Sequence, residues 1–264
     1  RPCARGARRV VCVRDGRRGS PSSAPSLIMT QLDLRSAARF LGVDDATLSR
    51  WARRGEISAR RVHERWQFDR IDLLEFATAR GLPVPAEALA QPDEGDAAPP
   101  RLSDAVRAGG VQQAVAGADK AAVLRAVVDA LSLPPGVDRD FLHQMLLARE
   151  HLGSTGLGHG IAIPHPRNPI LLHVPAPLVA VSYLARPIDY GALDGSPVHT
   201  LFTLVSPSMR VHLHLLAVIA AALGDPGVRD LVAARAGAPE LAAAFDSVEA
   251  ALARRRAAPR EEQA

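Results

Sequence analysis

The chain has 264 residues, 47% of them hydrophobic and 4% aromatic, with a formal net charge of +4. That length and apolar share suffice for two modest domains whose cores rest on Leu, Val and Ala rather than on rings. No apolar run reaches the ~18 residues of a membrane-spanning helix, and both cysteines, Cys3 and Cys12, precede the patterned segments, which suits a reducing cytoplasm and argues against membrane insertion.

Charge is uneven along the chain. Residues 1–28 hold seven Arg against one Asp, while residues 101–264 balance at fifteen of each sign, so basic character lies at the front. Lys120 is the single lysine; an Arg- and Ala-rich composition of this kind makes net charge alone a weak sign of nucleic-acid binding. Residues 1–28 lack apolar periodicity, and Val10–Val13 is shorter than the ~7–15 apolar residues of a signal peptide. They read as a disordered tail, with Met29 opening the patterned chain.

From Leu32 the pattern becomes compact. Asp33 can cap a helix that turns Ala37, Ala38 and Leu41 inward and stops at Gly42; Asp44 can cap a second, through Leu48 and Trp51, that stops at Gly55. Two short capped helices across a Gly-Val turn are a helix-turn-helix signature. Residues 57–62 and 66–68 around a polar turn read as a β-hairpin wing, and Asp69 can cap a closing helix with Ile71, Leu73, Leu74 and Phe76. Thr47, Ser49, Arg50, Arg53 and Arg54 lie away from the Leu48/Trp51 side and can enter a major groove. Arg60, Arg61 and Arg65 on the wing can meet phosphates. The competing reading of these arginines is a solvated face. Trp51, Trp66 and Phe68 read as core. This run resembles the excisionase-like, MerR-related winged helix-turn-helix domains, which implies a domain over residues 29–82 that binds duplex DNA, as a homodimer on its site.

Residues 83–100 are Pro, Ala and acid rich and read as a linker. Beyond it, helices are expected near 102–108, 119–131 and 138–150, strands at 161–163, 178–184 and 199–205, and helices near 212–223, 226–236 and 239–252. Such alternation predicts an α/β domain over residues 101–254, a mixed sheet with helices on both faces; residues 255–264 read as a second tail.

The most informative stretch is Gly153-Ser154-Thr155-Gly156-Leu157-Gly158-His159-Gly160-Ile161-Ala162-Ile163-Pro164-His165-Pro166-Arg167. Pro164 fixes φ and ends strand pairing, which carries the His165 imidazole to the sheet rim, where it can react. Gly156, Gly158 and Gly160 remove bulk, so that backbone N–H groups can cradle an anion. Ser154 and Thr155 can bind the same anion or shape the turn. His159 and His165 would share a face if the strand ran unbroken, but the motif holds no carboxylate or thiolate, so no metal or other cofactor is expected. His143, His151, His173 and His199 have no motif behind them and read as solvent-facing.

The segment from Arg149 to His165 resembles the phosphorylation-site segment of the enzyme IIA components of the bacterial phosphotransferase system, in the fructose, mannitol and nitrogen-regulatory class (type 2). Asp194-Gly195-Ser196-Pro197-Val198 and His212-Leu213-His214-Leu215-Leu216 resemble the family's later segments in order. The resemblance implies an enzyme IIA-type α/β domain in which His165 accepts phosphate, with Arg149 and His212 as the active-site arginine and second histidine. Arg149 also reads as a surface cation on last-turn carbonyls, and His212 as a helix-start residue packed on His214. His159 stands where the nitrogen-regulatory subgroup tends to carry Asn, and Pro166 where it often has Gly. The implied partners are a histidine-containing phosphocarrier (HPr or its nitrogen-type equivalent) and an enzyme IIB. The implied activity is phosphoryl carriage in the cytoplasm rather than small-molecule turnover. With a DNA-binding front, the leading expectation is a phosphorylation-responsive transcription regulator; the alternative is a sugar-specific enzyme IIA serving a separate IIB/IIC permease, its front domain an interaction module.

Overall fold

The computed structural model describes residues 31–80, 82, 99–192 and 194–257; the expected tail at 1–28, most of the linker and the last residues of the second tail lie outside the described residues. In the front domain the elements are β1 (Gln31–Asp33), α1 (Leu34–Leu41), α2 (Asp45–Arg53), β2 (Arg60–Val62), β3 (Arg65–Asp69) and α3 (Arg70–Ala79). Strand order is β1-β3-β2, antiparallel throughout. The expected caps are in place. Asp33 Oδ1 accepts from Ser36 N at 2.8 Å and Asp44 Oδ1 from Thr47 N at 2.8 Å, each satisfying a first-turn donor that has no intrahelical acceptor. Gly42 ends α1 in the left-handed region at φ 67°, and Asp69 Oδ1 accepts from Ile71 N at 3.0 Å at the start of α3. Ala37, Phe40, Leu41, Leu48, Phe68 and Leu73 fill the core. Trp51 packs 5.1 Å from Phe76, beneath the Arg80 guanidinium.

The second domain comprises α4 (Leu102–Gly109), β4 (Val111–Val115), α5 (Lys120–Ala130), α6 (Arg139–His151), β5 (Gly156–Gly158), β6 (Ile161–Ala162), β7 (Leu178–Ile188), β8 (Val198–Val205), α7 (Met209–Gly224), α8 (Pro226–Ala233) and α9 (Ala238–Ala257). The last helix runs past the expected boundary at 254. The sheet is mixed, in the order β4-β7-β8-β6-β5, with β4/β7 and β6/β8 parallel and β7/β8 and β5/β6 antiparallel. Alternation along β7 sends Val179, Val181 and Tyr183 to one face and Leu178, Ala180 and Leu184 to the other, as a period of two requires. Helices α4, α7, α8 and α9 cover the first face, α5 and α6 the second. No single helix among the described residues is long and apolar enough to cross a membrane.

Three elements differ in kind from the sequence expectation. Residues 31–33, read only as the approach to a capped helix, form strand β1 against β3. Residues 111–115, Val-Gln-Gln-Ala-Val, were not expected to pair, yet they form edge strand β4, with Ser182 Oγ donating to Gln112 Oε1 at 2.9 Å. The glycine-rich stretch, read as a loop feeding one strand, is a hairpin: it turns back through His159 (φ 51°) and Gly160 (φ 73°) and pairs β5 with β6. His159 and His165 therefore do not share a strand.

The two domains are in contact. Helix α3 packs on β5 and α7, and Arg167 pairs with Asp69 at 3.1 Å.

Gly109 shows how closely α4 sits on the sheet. A Cβ there would lie 2.4 Å from both the carbonyl carbon and the oxygen of Val179, which backbone cannot yield to cheaply. Gly109→Ala should destabilise by about 1–3 kcal/mol. Gly224, with open space around it at the end of α7, should tolerate Ala or gain about 0.5–1 kcal/mol. Urea unfolding midpoints of the two variants check the contrast.

Candidate functional site

His165 follows β6 on a chain held from both sides. Ile163 N donates to Thr155 O at 3.0 Å across the hairpin, and Leu204 N donates to Pro164 O at 3.0 Å from β8. Pro164 ends β6 as expected, but its carbonyl still keeps the segment beside the sheet. The imidazole is not at an open rim: His165 is 0% exposed, and every residue from Ile161 to Pro166 is buried. His165 Nδ1 lies 2.7 Å from Ile163 O. A carbonyl oxygen only accepts, so Nδ1 carries a proton, which leaves Nε2 as the nitrogen able to present a lone pair. The local backbone thus selects the nucleophilic nitrogen.

His212 faces it, the two ring centroids 5.1 Å apart and the planes tilted by 58°. It belongs to α7, one turn in from the Ser208 cap, and its own N–H is already given to Ser208 O at 3.0 Å. His212 Nδ1 lies 2.9 Å from Ser206 Oγ, and its buried Nε2 has no hydrogen-bond partner among the described residues. Burial, then the His165 ring and the Arg149 charge, hold the His212 pKa well below its ordinary value, so this imidazole is neutral at physiological pH. Arg149, in the last turn of α6, is 5% exposed and donates to Gly153 O at 3.0 Å. It is a buried cation beside the neutral His212 ring, not the surface residue of the alternative reading. His212 lies against His165, not simply against His214.

The expected anion cradle is differently employed. Ser154 Oγ donates to Tyr190 O at 2.7 Å and accepts from Gly156 N at 3.1 Å; Thr155 Oγ1 donates to Glu150 Oε2 at 2.7 Å. These hydroxyls shape the turn. Gly156 lies against Ala192, Gly158 against the Asp194 carboxylate, and Gly160 against the His199 ring, each closer than a Cβ allows. The three glycines thus admit neighbouring segments, which accounts for them without an anion. Asp194 Oδ2 accepts from His159 N at 2.9 Å and Oδ1 from Ser196 N at 3.0 Å, clasping the hairpin tip; these bonds lower its pKa. His199 is half-buried under Gly160 with its pKa lowered by burial, and is not solvent-facing as expected. His143 is also half-covered, its Nε2 3.2 Å from Ala121 O, whereas His151 and His173 are exposed. No group of three metal-binding side chains occurs among the described residues.

Sequence reading missed a buried network behind the hairpin. Glu150 accepts from Lys120 Nζ at 2.9 Å and from Thr155 N at 3.2 Å, and Lys120 lies 4.6 Å over the Tyr190 ring. Burial raises the Tyr190 pKa well above its ordinary value. Ser206 was missed too. Only its place six residues before His212 could have drawn notice.

On the front domain Arg50, Arg53, Arg54, Arg60, Arg61 and Arg65 are all exposed. Arg54 pairs with Glu56 at 3.7 Å and Arg61 with Glu64 at 2.7 Å. Thr47 and Ser49 are half-buried, and Thr47 Oγ1 donates to Asp44 and accepts from Arg50.

Residues 106–247 match the family described as phosphoenolpyruvate-dependent sugar phosphotransferase system, EIIA 2, and residues 32–81 match a helix-turn-helix domain family. A nitrogen regulatory protein of Pseudomonas aeruginosa is 44% identical over 119 residues, 44% of this chain and 75% of that protein. The Escherichia coli nitrogen regulatory protein is 41% identical over 98 residues, 36% of this chain and 56% of that protein. Among solved structures, nitrogen regulatory protein IIA-Ntr from Neisseria meningitidis is 28% identical, covering 51% of this chain and 91% of its own, with a TM-score of 0.45. A family match over more than half of the chain, joined to a relative matched over three quarters of its length, means that this chain belongs to the type 2 enzyme IIA family of the phosphotransferase system, with a helix-turn-helix domain in front of it.

Proposed function

We propose that the chain takes a phosphoryl group onto His165 Nε2 from the phosphohistidine of a small carrier protein of the HPr type, and couples that state to DNA bound by its front domain. The observation that carries the reading is the His165 Nδ1 hydrogen bond to Ile163 O, which presents Nε2 as the nucleophile toward His212 and Arg149. In the transfer the donor's N–P bond breaks as the Nε2–P bond forms from the ring lone pair, and the proton stays on Nδ1, hydrogen-bonded to the Ile163 carbonyl. His212, neutral, can donate one hydrogen bond to a phosphoryl oxygen without repelling the incoming group's cationic partners, and Arg149 supplies fixed positive charge. The reaction is reversible, and a cysteine or histidine of an enzyme IIB is the acceptor where delivery rather than signalling is the outcome. The nitrogen regulatory proteins among its relatives support the regulatory branch, and the matched helix-turn-helix domain supports DNA as the second partner. Within this reading the chain works in the cytoplasm and binds its operator as a homodimer.

Intact-mass spectrometry after incubation with phosphoenolpyruvate and the general carrier proteins should show one acid-labile phosphoryl group, lost in His165→Ala. His212→Gln and Arg149→Gln should fold and transfer on the order of a hundredfold more slowly; wild-type rates in either would remove that residue from the mechanism.

The buried neutral His212 also has a pH signature. Its folded pKa lies below its unfolded value of ~6.5, so the unfolded chain binds the extra proton first and stability falls as pH drops through that value. The thermal midpoint should decline between pH 7.5 and 5.5, and the decline should be shallower in His212→Gln.

For the front domain, DNA affinity should fall with salt, and Arg53→Gln should reduce the log–log slope by about one. Anisotropy titrations at several salt concentrations measure it; a slope near zero would leave an interaction module instead.

A further inference from the structure

Helix α3 is buried at Ile71, Leu73, Leu74, Phe76 and Ala77. At 100° per residue these five positions spread around most of the helix, where a surface helix of a small domain needs one apolar stripe. One side is met within the front domain, where Phe76 packs on Trp51. The other meets β5 and α7 of the second domain, and the buried residues of both domains form one apolar cluster that includes Leu74, Ile163 and Leu213. Beside it, Arg167 pairs with Asp69 in a cleft also lined by Ser58, Arg60, Gln67 and Asp72.

The elements that meet α3 are the ones that carry the phosphate chemistry. Strand β5 is the glycine hairpin, α7 bears His212, and Arg167 is two residues from His165, which is 0% exposed. Phosphate can reach His165 only from another protein's phosphohistidine, and that ring needs open surface over Nε2. We infer that the helix-turn-helix domain occupies, in cis, the face through which the phosphoryl donor must dock, so that front domain and donor compete for one surface. The inference rests on the phosphocarrier reading of His165. It has a corollary. A phosphoryl group adds up to about two negative charges, which cannot be kept in a water-free, apolar interface, so phosphorylated chain stays undocked. The groove-facing residues of α2 and the wing, Arg50, Arg53, Arg61 and Arg65, remain exposed in the docked arrangement, so docking blocks the donor without burying the DNA-binding face, and phosphate is coupled to DNA through the freedom of the front domain rather than through access to those residues.

The test uses the full chain and reads docking without requiring phosphate. Carbethoxylation with diethyl pyrocarbonate, followed by peptide mass spectrometry, compares His165 with His63 and His159, both exposed. In unmodified wild type His165 should react at least tenfold more slowly than His159. Arg167→Glu, which sets like charge against Asp69, and Asp69→Asn, which removes the charge but keeps a cap for α3, should each raise the His165 rate several-fold and leave His159 unchanged. Phosphorylation by the carrier should be faster in Asp69→Asn, which alters nothing on the accepting domain. The proposal is overturned if His165 reacts as fast as His159 in wild type, if neither variant changes its rate, or if wild type and Asp69→Asn accept phosphate at the same rate. Absence of phosphate from every form would instead defeat the phosphocarrier reading, while the carbethoxylation pattern would still report whether the domains dock.

Discussion

Two imidazoles and a guanidinium share a space that water does not reach, and that constraint governs the rest of the molecule. A charged histidine there would face both the desolvation penalty and the Arg149 charge, so neutrality at His212 is imposed by position. Neutrality in turn makes tautomers decisive. The Ile163 carbonyl settles the matter for His165, and Ser206 is placed to orient the ring of His212. A neutral ring with a directed lone pair beside fixed positive charge is the combination that a phosphoryl acceptor requires.

Holding a two-residue strand and the histidine that follows it in register takes more structure than the strand itself provides. Strand β6 is anchored by β8 on one side and β5 on the other. The hairpin is tied at its tip by Asp194 and at its base by Glu150 through Thr155. The glycines let Ala192, Asp194 and His199 approach that closely. Residues far apart in sequence therefore converge on one short segment, which explains why the motif is spread over three separate stretches of chain.

Local signals were read well from sequence. The caps Asp33 and Asp44, the Gly42 stop and the apolar run that became β7 each follow from a rule that needs only nearby residues. Strand β4 escaped because Gln112 and Gln113 break the apolar pattern and Ala114, at φ 54°, interrupts the register with β7. The glycine hairpin escaped because glycine permits both an anion cradle and a close approach, and only the neighbours decide between them. The three central site residues were named through resemblance, but their burial was not read, since it depends on contacts between segments distant in sequence, such as His165 against His212. No local pattern links Asp69 to Arg167.

Because α3 ends at Ala79 and α4 begins at Leu102, the front domain can never diffuse far from the face on which it rests. A short tether of this kind holds a module at an effective concentration of about 1 mM. An interface with an intrinsic dissociation constant of ~0.1 mM, far too weak to join separate molecules in a cell, would then be closed about ten times as often as open, with the free module at the same tethered concentration. A donor at micromolar concentration would meet an open site in a minority of encounters, and its apparent affinity would be lowered by that same factor. The covalent link therefore does thermodynamic work that the contact alone could not: it turns a weak surface into an effective competitor, and it leaves that competitor easy to displace once a charge arrives beneath it.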